Sequence, residues 1–137
     1  MRRDLGILDK YRKEKHLKKI RVELAGIYAV AYQLCRRGYL AIPVPSGHYP
    51  EVDLVVHDLE RGRMVGIQVK TRIRAVSHHF LPSSSHPTVY VCLEPLQFYV
   101  LDRNYVSRLI SEPRGRWIPK ADIEVTEFKD KWDNIWT

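Results

Sequence analysis

The 137-residue sequence is poor in several things that would assign a class at once. It has two cysteines, Cys35 and Cys92, with no C-x-x-C pair and no ligand-like spacing. That excludes a disulfide framework and a cysteine zinc site, and predicts reduced packing residues in a cytoplasmic protein. No run of about 18 apolar residues occurs, so no transmembrane helix and no membrane partner are expected. The opening "MRRDLGILDKYRKEK" lacks the apolar core of a signal peptide. There is no Gly-rich phosphate loop, no Ser-His-Asp order and no haem motif. Internal repeats and low-complexity segments are absent too. The only Ser/Pro-rich stretch, "HHFLPSSSHPT" at 78–88, reads as a long loop. Its His78, His79 and His86 read as surface imidazoles or phosphate contacts rather than zinc ligands. What remains is an ordinary globular composition, 45% hydrophobic and 28% charged. The length suits one domain over 1–137 with one sizeable core.

Charge is distributed unevenly. The net charge is +7, and residues 1–21 hold nine Lys/Arg against Asp4, Asp9 and Glu14. That segment carries +6 and the other 116 residues only +1. Clustered cations gain affinity for a polyanion by releasing its counterions, so a nucleic-acid partner is one reading and a solvated basic helix the other.

Periodicity predicts a basic helix from about residue 9 to 37. Its apolar stripe is Ile20, Leu24, Ile27, Ala31, Leu34 and Cys35, and Arg36, Arg37 and Gly38 close it. "YLAIPVP" reads as a strand and "SGHYP" as a loop. "EVDLVVHD" and "MVGIQVKTRI" read as a hairpin, and "TVYVCLE" and "QFYVLD" as two further strands. "DRNYVSRLIS" is a short helix capped by Asp102 or Asn104. "RWIPKADIEV" is irregular or a last edge strand, and a terminal helix is expected at about 126–136, capped by Thr126 and docked through Phe128, Trp132, Ile135 and Trp136. The core runs over about 20–110, in a mixed α/β arrangement.

Polar residues on the hairpin need a reason. Gln68 and Lys70 in "GIQVKT" are two apart, so they share one face of an otherwise apolar strand. Asp53 lies on the partner strand. On a helical wheel Glu23 falls at the edge of the buried stripe, which turns its carboxylate toward the sheet. Each residue alone has a bland explanation: a turn aspartate, a solvent-facing strand pair, a Glu23–Lys19 helix pair. Together they make a hard-cation site with a point charge beside it. Mg²⁺ takes one or two carboxylates, with waters and substrate phosphate completing its shell. Asp53, the Gln68 amide oxygen, the Val69 carbonyl and Glu23 are the candidate metal donors. Lys70 would orient or help deprotonate the attacking water and stabilise charge on a phosphate. That chemistry is phosphodiester hydrolysis. Lys18, Lys19 and Arg21 on the helix, with Arg72 and Arg74 continuing the Lys70 strand, are candidate DNA phosphate contacts, against the reading that they are solvated charge. Trp117, Trp132 and Trp136 read as packing residues, although Trp117, beside Arg114 and Arg116, is also placed to touch nucleic acid.

Residues 20–75, from "IRVELAGIYAVAYQLCRRGYLAIPVP" through "EVDLVVHDLERGRMVGIQVKT", resemble the PD-(D/E)xK nuclease superfamily. They are most similar to its small Q-x-K members, the Holliday-junction-resolvase-like and homing-endonuclease-like proteins. The segment "FYVLDRNYVSRLI…FKDKWDNIW" resembles the tail of that group more loosely. The resemblance puts Asp53 in the place of the metal-binding aspartate, Gln68 in the (D/E/Q) place and Lys70 in that of the catalytic lysine. It implies a restriction-endonuclease-like α-β-β-β-α-β core with a mixed sheet flanked by helices, Mg²⁺ dependence (with Mn²⁺ as a substitute) and DNA cleavage. The pattern departs at the helix acid, because Ile27 follows Gly26 where the family has Glu. Glu23 one turn earlier takes over, or Glu51 after Pro50 does, or the acid is absent.

The sequence therefore predicts a metal-dependent endonuclease acting on duplex or branched DNA, with a homodimer or higher symmetric oligomer expected from that activity. Two other readings stand beside it: a catalytically inactive nucleic-acid-binding module on the same fold, and an interaction protein whose basic helix binds an acidic partner.

Overall fold

The computed structural model describes residues 2–45, 51–113 and 115–137. The "SGHYP" loop with Pro50, and Arg114, lie outside the described residues. Helix α1 spans Arg2–Cys35, 34 residues or roughly 50 Å at about 1.5 Å each. It begins earlier than its apolar periodicity suggests. It stops where Gly38 takes φ 94°, with the Gly38 and Tyr39 amides donating to the carbonyls of Cys35 and Leu34.

Five strands form one sheet: β1 (Leu40–Pro43), β2 (Leu54–Asp58), β3 (Arg63–Arg72), β5 (Thr88–Leu93) and β6 (Leu96–Leu101), in the order β1-β2-β3-β5-β6. Only β3 and β5 run parallel; the other neighbours are antiparallel. The β2–β3 turn is fastened by the Asp58 carboxylate, which accepts from Arg63 Nε at 2.9 Å and the Arg61 amide at 3.3 Å. The parallel crossover from β3 to β5 carries no helix, unlike the expected α-β-β-β-α-β order. The crossover instead carries a strand, β4 (His78–Phe80), which pairs with β7 (Trp117–Pro119) as a separate two-stranded ribbon. The "HHFLPSSSHPT" stretch thus opens with three strand residues, runs as loop over 81–87 and enters β5 at Thr88, and "RWIPKADIEV" contributes an edge to that ribbon rather than to the main sheet.

Alternation sorts the strands into two cores. Leu54, Val56, Val65, Ile67, Val89 and Val100 point toward α1 and close around its Val30, Ala31 and Leu34. On the opposite face of β5 and β6, Tyr90, Tyr99 and Leu101 pack against α2 (Arg103–Ser111) through Val106 and Leu109. Asp102 caps α2, its carboxylate accepting from the Tyr105 amide at 3.2 Å. The stripe of α1 is rotated from its expected position: Leu24 and Cys35 are exposed, so Cys35 is no packing residue.

The expected terminal helix is absent. The chain at 128–130 instead runs along β6, with the Val100 amide donating to Phe128 O and the Asp130 amide to Phe98 O. Asp130 at φ 54° breaks any helix there, and only a 3-10 turn at Trp132–Trp136 follows. Pairing with an open sheet edge satisfies backbone groups that a short helix would leave unpaired at both ends. Phe128, Trp132 and Ile135 are nonetheless buried, as their apolar character requires. Among the described residues no helix is long and apolar enough to cross a membrane.

Candidate functional site

The face of β2–β3 turned away from α1 carries the polar residues. Leu54 pairs with Ile67 across the antiparallel ladder, which sets Asp53 opposite Gln68 and leaves Lys70 two residues further on the same side. Asp53 precedes the strand, held by its amide donating to Ile67 O at 2.9 Å and its carbonyl accepting from the Val44 amide at 3.0 Å. Its carboxylate Oδ2 accepts from the Val69 amide at 2.7 Å. This is a short charge-assisted bond that fixes the side chain across the antiparallel β2–β3 seam.

Gln68 is buried, 4% exposed, and its amide oxygen accepts from the Ser83 amide at 3.0 Å. A buried glutamine needs such a partner, and the second lone pair of that oxygen remains for another donor or a cation. The Ser83 hydroxyl faces Lys70 Nζ at 3.3 Å. The Ser/Pro loop therefore closes over the polar pair, and Ser83 belongs to the site although nothing in its local sequence singles it out. A run of serines between prolines reads as a loop. Only the crossover geometry places the middle of that loop on β3.

Burial perturbs both charged groups. Desolvation raises the Asp53 pKa, opposed by the Val69 amide and by the Lys70 charge. Desolvation lowers the Lys70 pKa, opposed by Asp53 and then Glu23, while Lys19 and Arg72 reinforce the lowering. An acid pushed up and a lysine pushed down in one place are the pattern of a functional site.

Glu23 and Lys19 thus lie within electrostatic reach of Lys70. Glu23 itself is exposed rather than turned into the sheet. It continues the line of Ile27, Val30 and Leu34 along α1, but no described residue before Gly26 is buried on that helix, so the stripe runs past the sheet at Glu23. Gly26 marks the crossing. A Cβ there would overlap the Thr71 side chain, so glycine lets α1 approach β3 closely enough to bring Glu23 beside Lys70. Glu51 is exposed and precedes β2, outside the strand face of Asp53.

The outlying basic residues divide. Lys18, Lys19 and Arg21 are exposed on α1. Arg74 is exposed and pairs with Glu94 at 3.8 Å. Arg72 lies over the Phe80 ring, 4.5 Å from its centroid. His79, expected at the surface, is buried: its Nε2 bonds the Glu124 carboxylate at 3.1 Å and its ring meets Tyr90 edge-on.

Among the described residues no three His, Cys, Asp or Glu side chains gather as a ready-made metal set. The donors at hand are the Asp53 carboxylate, the exposed Glu23 carboxylate, the Gln68 amide oxygen and the Val69 carbonyl. That is a sparse, oxygen-only set of the kind a hard cation completes with water and phosphate. A half-buried carboxylate whose charge is poorly compensated fits such an ion.

No family model matches the chain, and no curated protein does. Among solved structures, a bacterial homing endonuclease, I-Ssp6803I, is similar with a TM-score of 0.62 over 83% of this chain and 90% of that one, at 19% identity. The two share the fold, a mixed sheet flanked by helix.

Proposed function

We propose that this chain is a metal-dependent DNA endonuclease of the PD-(D/E)xK type, hydrolysing phosphodiester bonds in duplex or branched DNA. One observation carries the reading: Asp53 and Lys70, each desolvated and each lowering the other's cost, share one face at the β2–β3 seam. The fold is that of a protein named as a homing endonuclease, which supports DNA as the substrate.

Asp53, Gln68 and the Val69 carbonyl would hold Mg²⁺, or Mn²⁺ in its place, with Glu23 as the further acid. The ion supplies Lewis acidity and a more acidic bound water. Asp53 is held by the Val69 amide through one carboxylate oxygen, which would leave the other for the ion. Gln68 is aimed by the Ser83 amide, while the Ser83 hydroxyl accepts from the Lys70 ammonium. As an ammonium Lys70 would hold the scissile phosphate by charge; in its neutral form, which the lowered pKa makes more accessible than in a free lysine, its amine would instead take the proton of the attacking water. Glu23 balances that charge from α1. Lys18, Lys19 and Arg21 track the DNA backbone beyond the site. One site cuts one strand, so cutting a duplex calls for a homodimer or higher symmetric oligomer.

The inactive-module reading has its own support: the Gln68 oxygen is already engaged by Ser83 and Glu23 is solvent-facing. Incubation with plasmid and four-way-junction DNA, with and without Mg²⁺ or Mn²⁺, separates the two. Metal-dependent nicking is expected, with Lys70→Ala slower by about 10²-fold or more and DNA binding kept. Tight binding without cleavage under any divalent ion would establish the inactive module. Light scattering on the same samples is expected to give a multiple of the chain mass, and cleavage of both strands by a monomer would overturn the oligomer.

A further inference from the structure

The β4–β7 ribbon holds two large rings out of the protein. Phe80 and Trp117 are direct cross-strand partners. They stack with centroids 4.4 Å apart and planes 26° from parallel, yet remain 43% and 51% exposed. Arg72 extends from β3 to place its guanidinium 4.5 Å from the Phe80 centroid and 6.0 Å from that of Trp117. Isolated two-stranded ribbons are marginal in water, but this one is fastened from behind. Ile118 is fully buried, His79 bonds Glu124, and the Tyr90 hydroxyl donates to Phe80 O at 2.6 Å. These contacts hold the ribbon from its inner side and do not involve the exposed ring faces. Two rings held in water therefore point to a ligand that covers them.

The surroundings say what kind. Arg72 lies two residues past Lys70 on the same side of β3. Phe80 lies three residues before Ser83, whose amide and hydroxyl hold Gln68 and Lys70. The stack thus borders the candidate cleavage site through both connections. Arg116 and Lys120 flank the ribbon and are exposed. The nearby acids are engaged, Glu124 by His79 and Lys120 and Glu94 by Arg74. A ligand meeting flat aromatic faces ringed by cations is anionic and has flat apolar faces of its own, which describes a nucleic acid offering an unstacked base.

We propose that Phe80, Trp117 and Arg72 form a base-stacking platform that engages a nucleotide next to the scissile phosphate. The position of that nucleotide rests on the endonuclease reading; the stacking contact does not. The platform makes unpaired, flipped or easily unstacked positions preferred over a continuous duplex, because their unstacking cost is smaller.

The test is equilibrium binding in EDTA, where nothing is cut, to a duplex and to the same duplex carrying an unpaired base. Trp117→Ala and Phe80→Ala are expected to weaken binding to the unpaired-base DNA about tenfold to a hundredfold. Their slope of log K against log salt should stay unchanged, since the rings release no counterions. Arg72→Ala should weaken binding and also reduce that slope by about one. Trp117→Phe should keep most of the affinity while abolishing the DNA-induced quenching of tryptophan emission. Wild-type affinity in Trp117→Ala, with no emission change on DNA addition to the wild type, overturns the platform; so does a loss of self-association in that variant with DNA binding intact. Ribbon-dependent binding by a protein that never cleaves would sink the endonuclease reading and leave the platform standing, whereas cleavage unaffected by Trp117→Ala would do the reverse.

Discussion

Gln68 and Lys70 show how a single polar position is made tolerable in an apolar strand. Gln68 is buried because the Ser83 amide meets its oxygen, and Lys70 is half-buried because Asp53 and Glu23 offset its desolvation. His79 solves the same problem differently. It bonds the Glu124 carboxylate as a neutral imidazole, its Nε2–H donating, because burial lowers its pKa more than Glu124 raises it, and the Arg72 and Lys120 charges lower it further. With its folded pKa depressed, the stability it contributes is present above the unfolded value of about 6.5 and is lost as pH falls through the folded one. Thermal denaturation between pH 7.5 and 4.5 is expected to show a decline in this window that is shallower in His79→Gln, which keeps a donor for Glu124 and cannot titrate. Parallel curves for the two proteins would show that His79 carries no such linkage.

At the scale of elements, the crossing of α1 over β3 decides whether the site is assembled. Gly26 sits on Thr71, whose hydroxyl is buried without a hydrogen-bond partner. Thr71 is β-branched and stiff, so an added methyl has to push the helix away rather than turn a side chain aside. Gly26→Ala is expected to cost about 1–3 kcal/mol, a fall in Tm of roughly 3–10 °C. It should reduce cleavage more than that loss explains, since it draws Glu23 away from Lys70. Calorimetry on Gly26→Ala with and without Thr71→Ala checks the cause: trimming Thr71 should recover over half of the loss, and equal costs in both backgrounds would show that the contact is not responsible. The ribbon makes the same point. The parallel step from β3 to β5 needs a crossover of a dozen or more residues, and here that length is spent on a strand and a capping loop rather than a helix.

Over the whole molecule, charge and shape are divided between two ends of α1. Its C-terminal third is packed on the sheet, while the residues from Lys13 to Ala25 are largely exposed and carry a net +3 of the chain's +7. A basic rod leaving the body beside the candidate site can follow a polyanion for several phosphates. Replacing Lys18, Lys19 and Arg21 together by Ala is expected to weaken DNA binding at 100 mM salt and to lower the slope of log K against log salt by up to about 2.7. Fluorescence anisotropy across a salt series reads this directly, and an unchanged slope would remove these residues from the interface.

The strands, their faces and the polar pair on β3 were legible because alternation of period two and the hairpin register depend on neighbours in the chain, and the sequence alone therefore determined that Asp53, Gln68 and Lys70 share a side. The same local logic found α2, its Asp102 cap and the glycine that ends α1. Tertiary structure decided the rest. Whether 126–136 winds into a helix depended on an open edge of β6 that lies far off in sequence. Ser83, His79 and the Phe80–Trp117 stack acquired their places only when a Ser/Pro-rich segment was folded back across β3 and β5. The rotation of α1 that exposes Leu24 and seats Gly26 followed from which face the sheet offered. Local periodicity fixes which residues lie together on one element; which elements meet, and so which lysine gains a serine and which histidine is buried, is settled by packing across the whole chain.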